Sequence, residues 1–158
     1  MIGTAVAAGF VATLVMTTIM RGASEFGLTR IDFALLLGTA VSDNRRKARA
    51  FGYVFHFLVG ILFALAYAWF FHVTRRSGWL VGALLGTVHA VFDGTVLVNV
   101  LLPLVHPRIA TAETAANDIA LIEPPGFLLL NYGRNSFIVA LVAHIAFGVV
   151  IGLLVQSP

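Results

Sequence analysis

The chain has 158 residues, of which 59% are hydrophobic and only 11% are charged, with a formal net charge of +3. A soluble domain has about 45–50% apolar and about 25% charged residues, so this composition excludes a water-soluble enzyme and a disordered chain. The absence of cysteine excludes a disulfide framework and a thiolate metal site. We therefore expect an integral membrane protein that resides in the lipid bilayer.

Four apolar stretches have the length needed to cross a bilayer as helices, which is roughly 20 residues. They lie near residues 2–20, 51–71, 79–102 and 137–155. The pattern predicts an all-α fold, a polytopic bundle of four transmembrane helices that forms a single domain over residues 1–158.

The first connection contains a further apolar segment near residues 31–41, and the third contains an amphipathic segment near residues 109–130 with Glu113, Asp118 and Glu123. The first segment is too short to span a membrane, and Asp32 opens it in a position typical of a helix N-cap. The second segment contains Pro124 and Pro125 and then an apolar run. We expect both segments to lie at the membrane surface.

Basic residues are distributed unequally between the two sides of the predicted bundle. Connections one and three hold eight of them: Arg21, Arg30, Arg45, Arg46, Lys47, Arg49, Arg108 and Arg134. The other side holds only Arg75 and Arg76, near the aromatic residues Tyr67, Trp69 and Trp79. The positive-inside rule places the eight basic residues in the cytoplasm and both termini outside. Because aromatic residues are enriched at membrane interfaces, Tyr67 is predicted at the outer interface. This distribution indicates membrane topology, and we expect no nucleic-acid partner.

The second and fourth predicted helices share a short pattern. His56, Gly60 and Leu65 align with His144, Gly148 and Leu153, whereas Gly9 of the first helix aligns more weakly with Gly86 of the third. The pattern favours two tandem helical hairpins, in which His56 and His144 are equivalent positions.

Small residues recur every four positions in all four predicted helices, which lets helix backbones approach closely in lipid. The rows are Ala5–Gly9–Thr13–Thr17, Gly52–His56–Gly60–Ala64–Ala68, Gly78–Gly82–Gly86–Ala90–Gly94 and Ser136–Ala140–His144–Gly148–Gly152. We expect all four rows to pack into one bundle, so that the two histidines on them face other helices.

Four polar residues are predicted to converge within the membrane. His89 and Asp93 are four residues apart and therefore share a helix face. A rise of about 1.5 Å per residue places His89 near the midplane and Asp93 one turn closer to the cytoplasm. His56 and His144 lie at a similar depth, on helices that enter from the cytoplasmic side. An ionised aspartate costs at least about 2.5–3.5 kcal/mol there, so Asp93 must be paired, protonated or coordinated.

Three kinds of function are open for this cluster. His56, His89, Asp93 and His144 suit a Zn, Fe or Cu ion, and two of the three histidines from facing helices could be the axial ligands of a b-type haem. Alternatively, these side chains only hydrogen-bond between the helices of an accessory subunit, which is the usual role of a lone intramembrane histidine. The third alternative is a proton relay or proton-coupled transport.

Several segments resemble a family of small four-helix bacterial integral membrane proteins of unknown function. They are residues 11–17 (VATLVMT), 31–38 (IDFALLLG), 52–56 (GYVFH) and 144–148 (HIAFG). The resemblance implies a four-helix fold in the bacterial inner membrane, and it implies no activity. The sequence contains no phosphate-binding loop, nucleophile elbow or HExxH motif, so we expect no catalytic activity of its own. Because the chain is short, we expect either a homo-oligomer or association with other membrane subunits.

Overall fold

A computed structural model describes residues 2–110 and 122–156, and these residues are largely helical with no strand. Four helices are long and apolar enough to cross a membrane. These helices are α1 (Ile2–Glu25), α3 (Arg45–Thr74), α4 (Trp79–Phe92) with its continuation to Val105, and α6 (Ser136–Leu154). The predicted all-α, four-helix fold is confirmed, and the chain is a membrane protein by the length and composition of these helices.

Shorter elements complete the chain. A π-helical segment, Asp93–Leu101, continues α4 and leads into α5 (Leu102–Val105). The first connection contains α2 (Phe33–Gly38), and a 3-10 turn, Phe127–Tyr132, precedes α6. Part of the second predicted surface segment, residues 111–121, lies outside the described residues.

Polar caps fix where α2 and α3 begin. The Asp32 carboxylate accepts a hydrogen bond from the Leu35 amide at 3.0 Å. The Asn44 side chain accepts from the amides of Arg46 and Lys47, each at 3.1 Å. These bonds satisfy amides that the first turn of a helix leaves without partners.

The long helices pack as two pairs, α1 with α3 and α4 with α6, and α1 also packs on α6. Glycines make the second pair tight, because a Cβ on Gly82 would collide with the carbonyl of Gly148. In the first pair, Gly9 lies against Ala64, and a Cβ on Gly60 would collide with Thr13. The rows of small residues therefore do bring helix backbones together within each pair.

The two pairs meet at equivalent positions of α3 and α6, but through a different residue of α4 than the sequence alignment predicts. In the first pair, Gly9 lies between Gly60 and Ala64 of α3. In the sequence alignment, Gly60 corresponds to Gly148 of α6 and Ala64 corresponds to Gly152. Gly82 occupies that place in the second pair, whereas Gly86 packs against His144. The alignment of Gly9 with Gly86 is therefore wrong by one helical turn, because Gly82 is the residue of α4 in the place equivalent to Gly9.

Connections one and three lie at the same end of the bundle. The hydroxyls of Thr29 and Ser136 share a buried hydrogen bond of 2.6 Å, which joins the segment after α1 to the start of α6. At this end α2 packs so closely on α3 that a Cβ on Gly52 would collide with the backbone of Ala34. Gly52 therefore packs against α2, and not against another membrane-spanning helix as its row predicts.

Candidate metal centre

The chain changes from α-helix to π-helix at Asp93. Two features favour the wider turns that follow. Pro103 has no amide hydrogen to donate to the carbonyl of Asn99, and the Asn99 side chain donates to the carbonyls of Gly94 and Thr95 at 2.9 and 3.2 Å. Short π-helical insertions are frequent at functional sites, and this one begins at the carboxylate that the sequence singles out.

His89, Asp93 and His144 form a buried group between α4 and α6. The Nε2 atom of His144 lies 2.9 Å from Asp93 Oδ2, and the Nε2 atom of His89 lies 3.5 Å from Asp93 Oδ1. The side chains of His144, His89 and Asp93 are 1%, 8% and 16% exposed. One ligand atom from each residue lies within 4.8 Å of the others, so this group could hold a metal ion.

The second ring nitrogen of each histidine is held by another group. His144 Nδ1 donates a hydrogen bond of 2.7 Å to the carbonyl of Ala140. His89 Nδ1 lies 3.3 Å from the hydroxyl of Tyr67. A carbonyl or hydroxyl partner of this kind orients a metal-binding imidazole and fixes which nitrogen is free. Both histidines thus present Nε2 to Asp93.

This arrangement places two electron-rich atoms against each other. Because His144 Nδ1 carries the hydrogen donated to Ala140, a neutral His144 has a lone pair on Nε2, and that lone pair faces a carboxylate oxygen at 2.9 Å. Only a proton or a metal cation between the two atoms makes this contact favourable. Asp93 Oδ1 is also buried and accepts no hydrogen bond from the described residues.

His56, the fourth predicted site residue, is not part of the three-residue group. It lines the same cavity from α3, a space of about 390 Å³ between α3 and α4 that also borders His89, Asp93 and His144. Three of the four predicted residues therefore meet directly, and His56 faces them across a cavity. Its pattern resembles that of His144, but its partner helix and its surroundings differ.

The sequence interpretation missed Tyr67 and Phe63 as components of the site. Tyr67 is 6% exposed and contacts His89, so its predicted place at the outer interface is wrong. The Phe63 ring lies on His89 with a centroid distance of 3.8 Å. The sequence did contain a signal for both residues, since positions 56, 60, 63 and 67 have the spacing of one helix face and include His56.

His106 shows a different arrangement from the buried group. It lies just beyond α5, where its Nε2 donates to the carbonyl of Leu36 at 2.9 Å and its Nδ1 accepts from the amide of Arg108 at 3.2 Å. Burial lowers the pKa of this imidazole. Both ring nitrogens are therefore satisfied by backbone groups, and His106 ties α2 to the end of α5.

The geometry of His89 and His144 suits a compact ion better than a haem. Their ring centroids are 4.7 Å apart, and the rings are inclined at 76°. Axial haem ligands lie on opposite sides of the iron with about 2 Å between iron and each nitrogen, which requires a larger distance between ring centroids.

No protein-family model, curated protein or solved structure matches this chain. The resemblance to small four-helix bacterial membrane proteins thus stays a prediction, and the functional argument depends on the geometry of the site.

Proposed function

We propose that this small membrane protein binds a divalent transition-metal ion in its core, through Nε2 of His89, Nε2 of His144 and the Asp93 carboxylate. The observation that carries the proposal is the convergence of these three ligand atoms on one buried point. Ligand atoms about 2.1 Å from one ion lie about 3.0–3.4 Å from each other in octahedral or tetrahedral geometry. Each imidazole Nε2 lies close to that range from one oxygen of the carboxylate, His144 at 2.9 Å from Oδ2 and His89 at 3.5 Å from Oδ1, while a set of one ligand atom per residue lies within 4.8 Å.

Electrostatics supports an ion at this point. A carboxylate and two imidazoles are removed from water within the membrane, where an unpaired carboxylate is costly. A divalent cation would neutralise Asp93 and also give its buried Oδ1 a partner. The hydrogen bonds of His144 with the Ala140 carbonyl and of His89 with the Tyr67 hydroxyl would hold the two rings in place for coordination.

The types of ligand narrow the choice of metal ion. Two imidazoles and one carboxylate, with no sulfur, favour Zn²⁺ or Fe²⁺. Three protein ligands leave coordination positions open toward the cavity, where His56 lines the wall. An open position of this kind is typical of reactive rather than purely structural metal sites.

The location of the protein belongs to the same proposal. We place it in a bacterial cytoplasmic membrane, with connections one and three inside and both termini outside, because eight basic residues lie in those two connections. An oligomer or a larger membrane complex would cover the exposed apolar faces. A cysteine-accessibility assay at Arg75 and Arg134 tests the orientation, since only the position outside the cell should react with an impermeant reagent.

Elemental analysis tests the metal site. The untagged protein is purified in mild detergent, dialysed against Zn²⁺ or Fe²⁺ and washed, and its metal content is measured by mass spectrometry. We expect about one ion per chain, and a loss of that ion in His89→Ala and His144→Ala variants. The matched control is His106→Ala, which removes a buried histidine outside the group and should retain the ion.

The opposite result has a defined meaning. A folded protein that takes up no stoichiometric metal would refute the proposal. The contact between His144 and Asp93 would then be a shared proton that bridges two helices, or part of a proton path. Flux measurements in liposomes with an Asp93→Asn variant would separate those two roles.

A further inference from the structure

The cavity between α3 and α4 is larger than a metal ion and its water ligands require. It encloses about 390 Å³, whereas a cavity of about 150 Å³ is enough to bind benzene. The backbones of α3 and α4 do not approach closely, although a short turn joins the two helices. The space therefore lies where α3 and α4 separate, with residues of α1, α2 and α6 completing its wall, and it is wide enough for an organic molecule.

The rim of this cavity is apolar. Its most exposed lining residues are Val59 on α3 and Leu101, Leu104 and Val105 at the end of the π segment and in α5, with exposures of 41%, 42%, 77% and 78%. No charged residue lines the rim among the described residues. Because these side chains belong to helices long and apolar enough to span a membrane, an opening at this rim would face lipid.

The polar groups lie together at the deep end. His56, His89, Asp93 and His144 line that end, and most of the remaining wall is aliphatic or aromatic. Asp93 Oδ1 lacks a hydrogen-bond donor among the described residues. A ligand that matches both the apolar walls and the polar deep end needs an apolar body and one polar group at its tip.

We infer that the cavity binds a lipid-soluble alcohol or phenol, which enters laterally between α3 and α4 and places its hydroxyl against Asp93. A hydroxyl suits the site both without a metal ion and with one bound. It can donate its hydrogen to Asp93 Oδ1, and its oxygen can ligate an ion held by the three protein ligands. The inference goes beyond the metal proposal and does not need the ion.

Binding of 2-naphthol to the protein in lipid nanodiscs tests this inference, with empty nanodiscs as the partition background. We expect saturable binding of about one molecule per chain. Naphthalene, which has the same body without the hydroxyl, should bind at least about tenfold more weakly, since it leaves a buried polar atom unsatisfied. Equal binding of the two would mean that the cavity accepts any hydrocarbon, lipid chains included, and would overturn the inference.

Tryptophan substitutions at the rim test the lateral route. Val59→Trp and Leu101→Trp should each weaken 2-naphthol binding at least tenfold by blocking access. The matched controls are Leu62→Trp and Val100→Trp, whose side chains are 65% and 53% exposed on the same elements and do not line the cavity. Equal loss in the rim and control variants would contradict the lateral route, and circular dichroism would establish that each variant is folded.

Metal content measured on the same samples keeps the two proposals separate. If Val59→Trp loses 2-naphthol but retains the ion, both proposals are supported. If the wild type binds 2-naphthol and no ion, the metal proposal alone fails. If it binds the ion and shows only the linear uptake of empty nanodiscs, the cavity proposal alone fails.

Discussion

The α4–α6 and α3–α4 interfaces differ in how closely their helices approach. In the first, Gly82 and Gly148 bring two backbones into contact, and no space remains between them. In the second, the ring of Phe63 reaches His89, and deeper in the bundle the helices are separated by a cavity. The polar group lies where the tight interface borders the open one. Close packing therefore fixes His144 and Asp93 relative to each other, and the gap gives them access.

The largest effect is expected from breaking the tight interface. In Gly148→Ala the added Cβ would collide with the backbone of Gly82, which can move only if α4 and α6 separate. We expect a loss of about 1–3 kcal/mol in the free energy of unfolding, measured by titration with a denaturing detergent in mixed micelles.

Gly22→Ala is the matched control for that substitution. A Cβ at Gly22 meets nothing within 4 Å, so the same change in α1 should be neutral or stabilising by about 0.5–1 kcal/mol. If the two variants unfold alike, contact between the α4 and α6 backbones does not determine the stability of the bundle.

A smaller effect is expected at the contact that bridges the open interface. Tyr67→Phe removes the hydroxyl that lies 3.3 Å from His89 Nδ1 and leaves the ring in place. Loss of a group that orients a metal ligand lowers metal affinity by about 10–100-fold. Isothermal titration with Zn²⁺ measures this change, and Tyr53→Phe, a tyrosine on the same helix outside the group, is the control. Unchanged affinity in Tyr67→Phe would remove Tyr67 from the site.

The smallest effect concerns His106, which ties α2 to the end of α5 beside the open interface. Because burial lowers its pKa, the folded chain binds a proton less readily than the unfolded chain. Acidification below the ordinary histidine value of 6.5 should therefore weaken the docking of α2, by at most about 1 kcal/mol. Faster hydrogen exchange at the Leu36 and Thr39 amides would report this loss.

His106→Gln is the control for the pH effect. Its side-chain amide can donate to the Leu36 carbonyl but does not titrate, so exchange in α2 should no longer increase between pH 7 and pH 5. A variant with the same pH response as the wild type would assign the effect to another group.

Much of the fold was predictable because its signals are local. Apolar length defines the four spans, and the spacing of His89 and Asp93 places them on one face whatever the neighbouring helices do. The position of His144 on a row of small residues predicts that it faces another helix, and in the structure it contacts Gly86 of α4.

The rest depends on how the helices are rotated and paired. His56 lies on the same kind of row as His144, but α3 pairs with α1, so His56 borders a cavity. Asn99 and Pro103 favour the π-helical turns after Asp93, and the apolar pattern does not reveal those turns. The separation of α3 from α4 also cannot be predicted from the sequence of either helix alone.

The most direct test of the metal centre is X-ray absorption spectroscopy of the zinc- or iron-loaded protein at the metal edge. We predict a first shell that includes two imidazole nitrogens and carboxylate oxygen at about 2.0–2.2 Å, with one imidazole lost in His144→Ala. A shell of oxygen atoms alone, or a spectrum that His144→Ala leaves unchanged, would contradict an ion bound between α4 and α6.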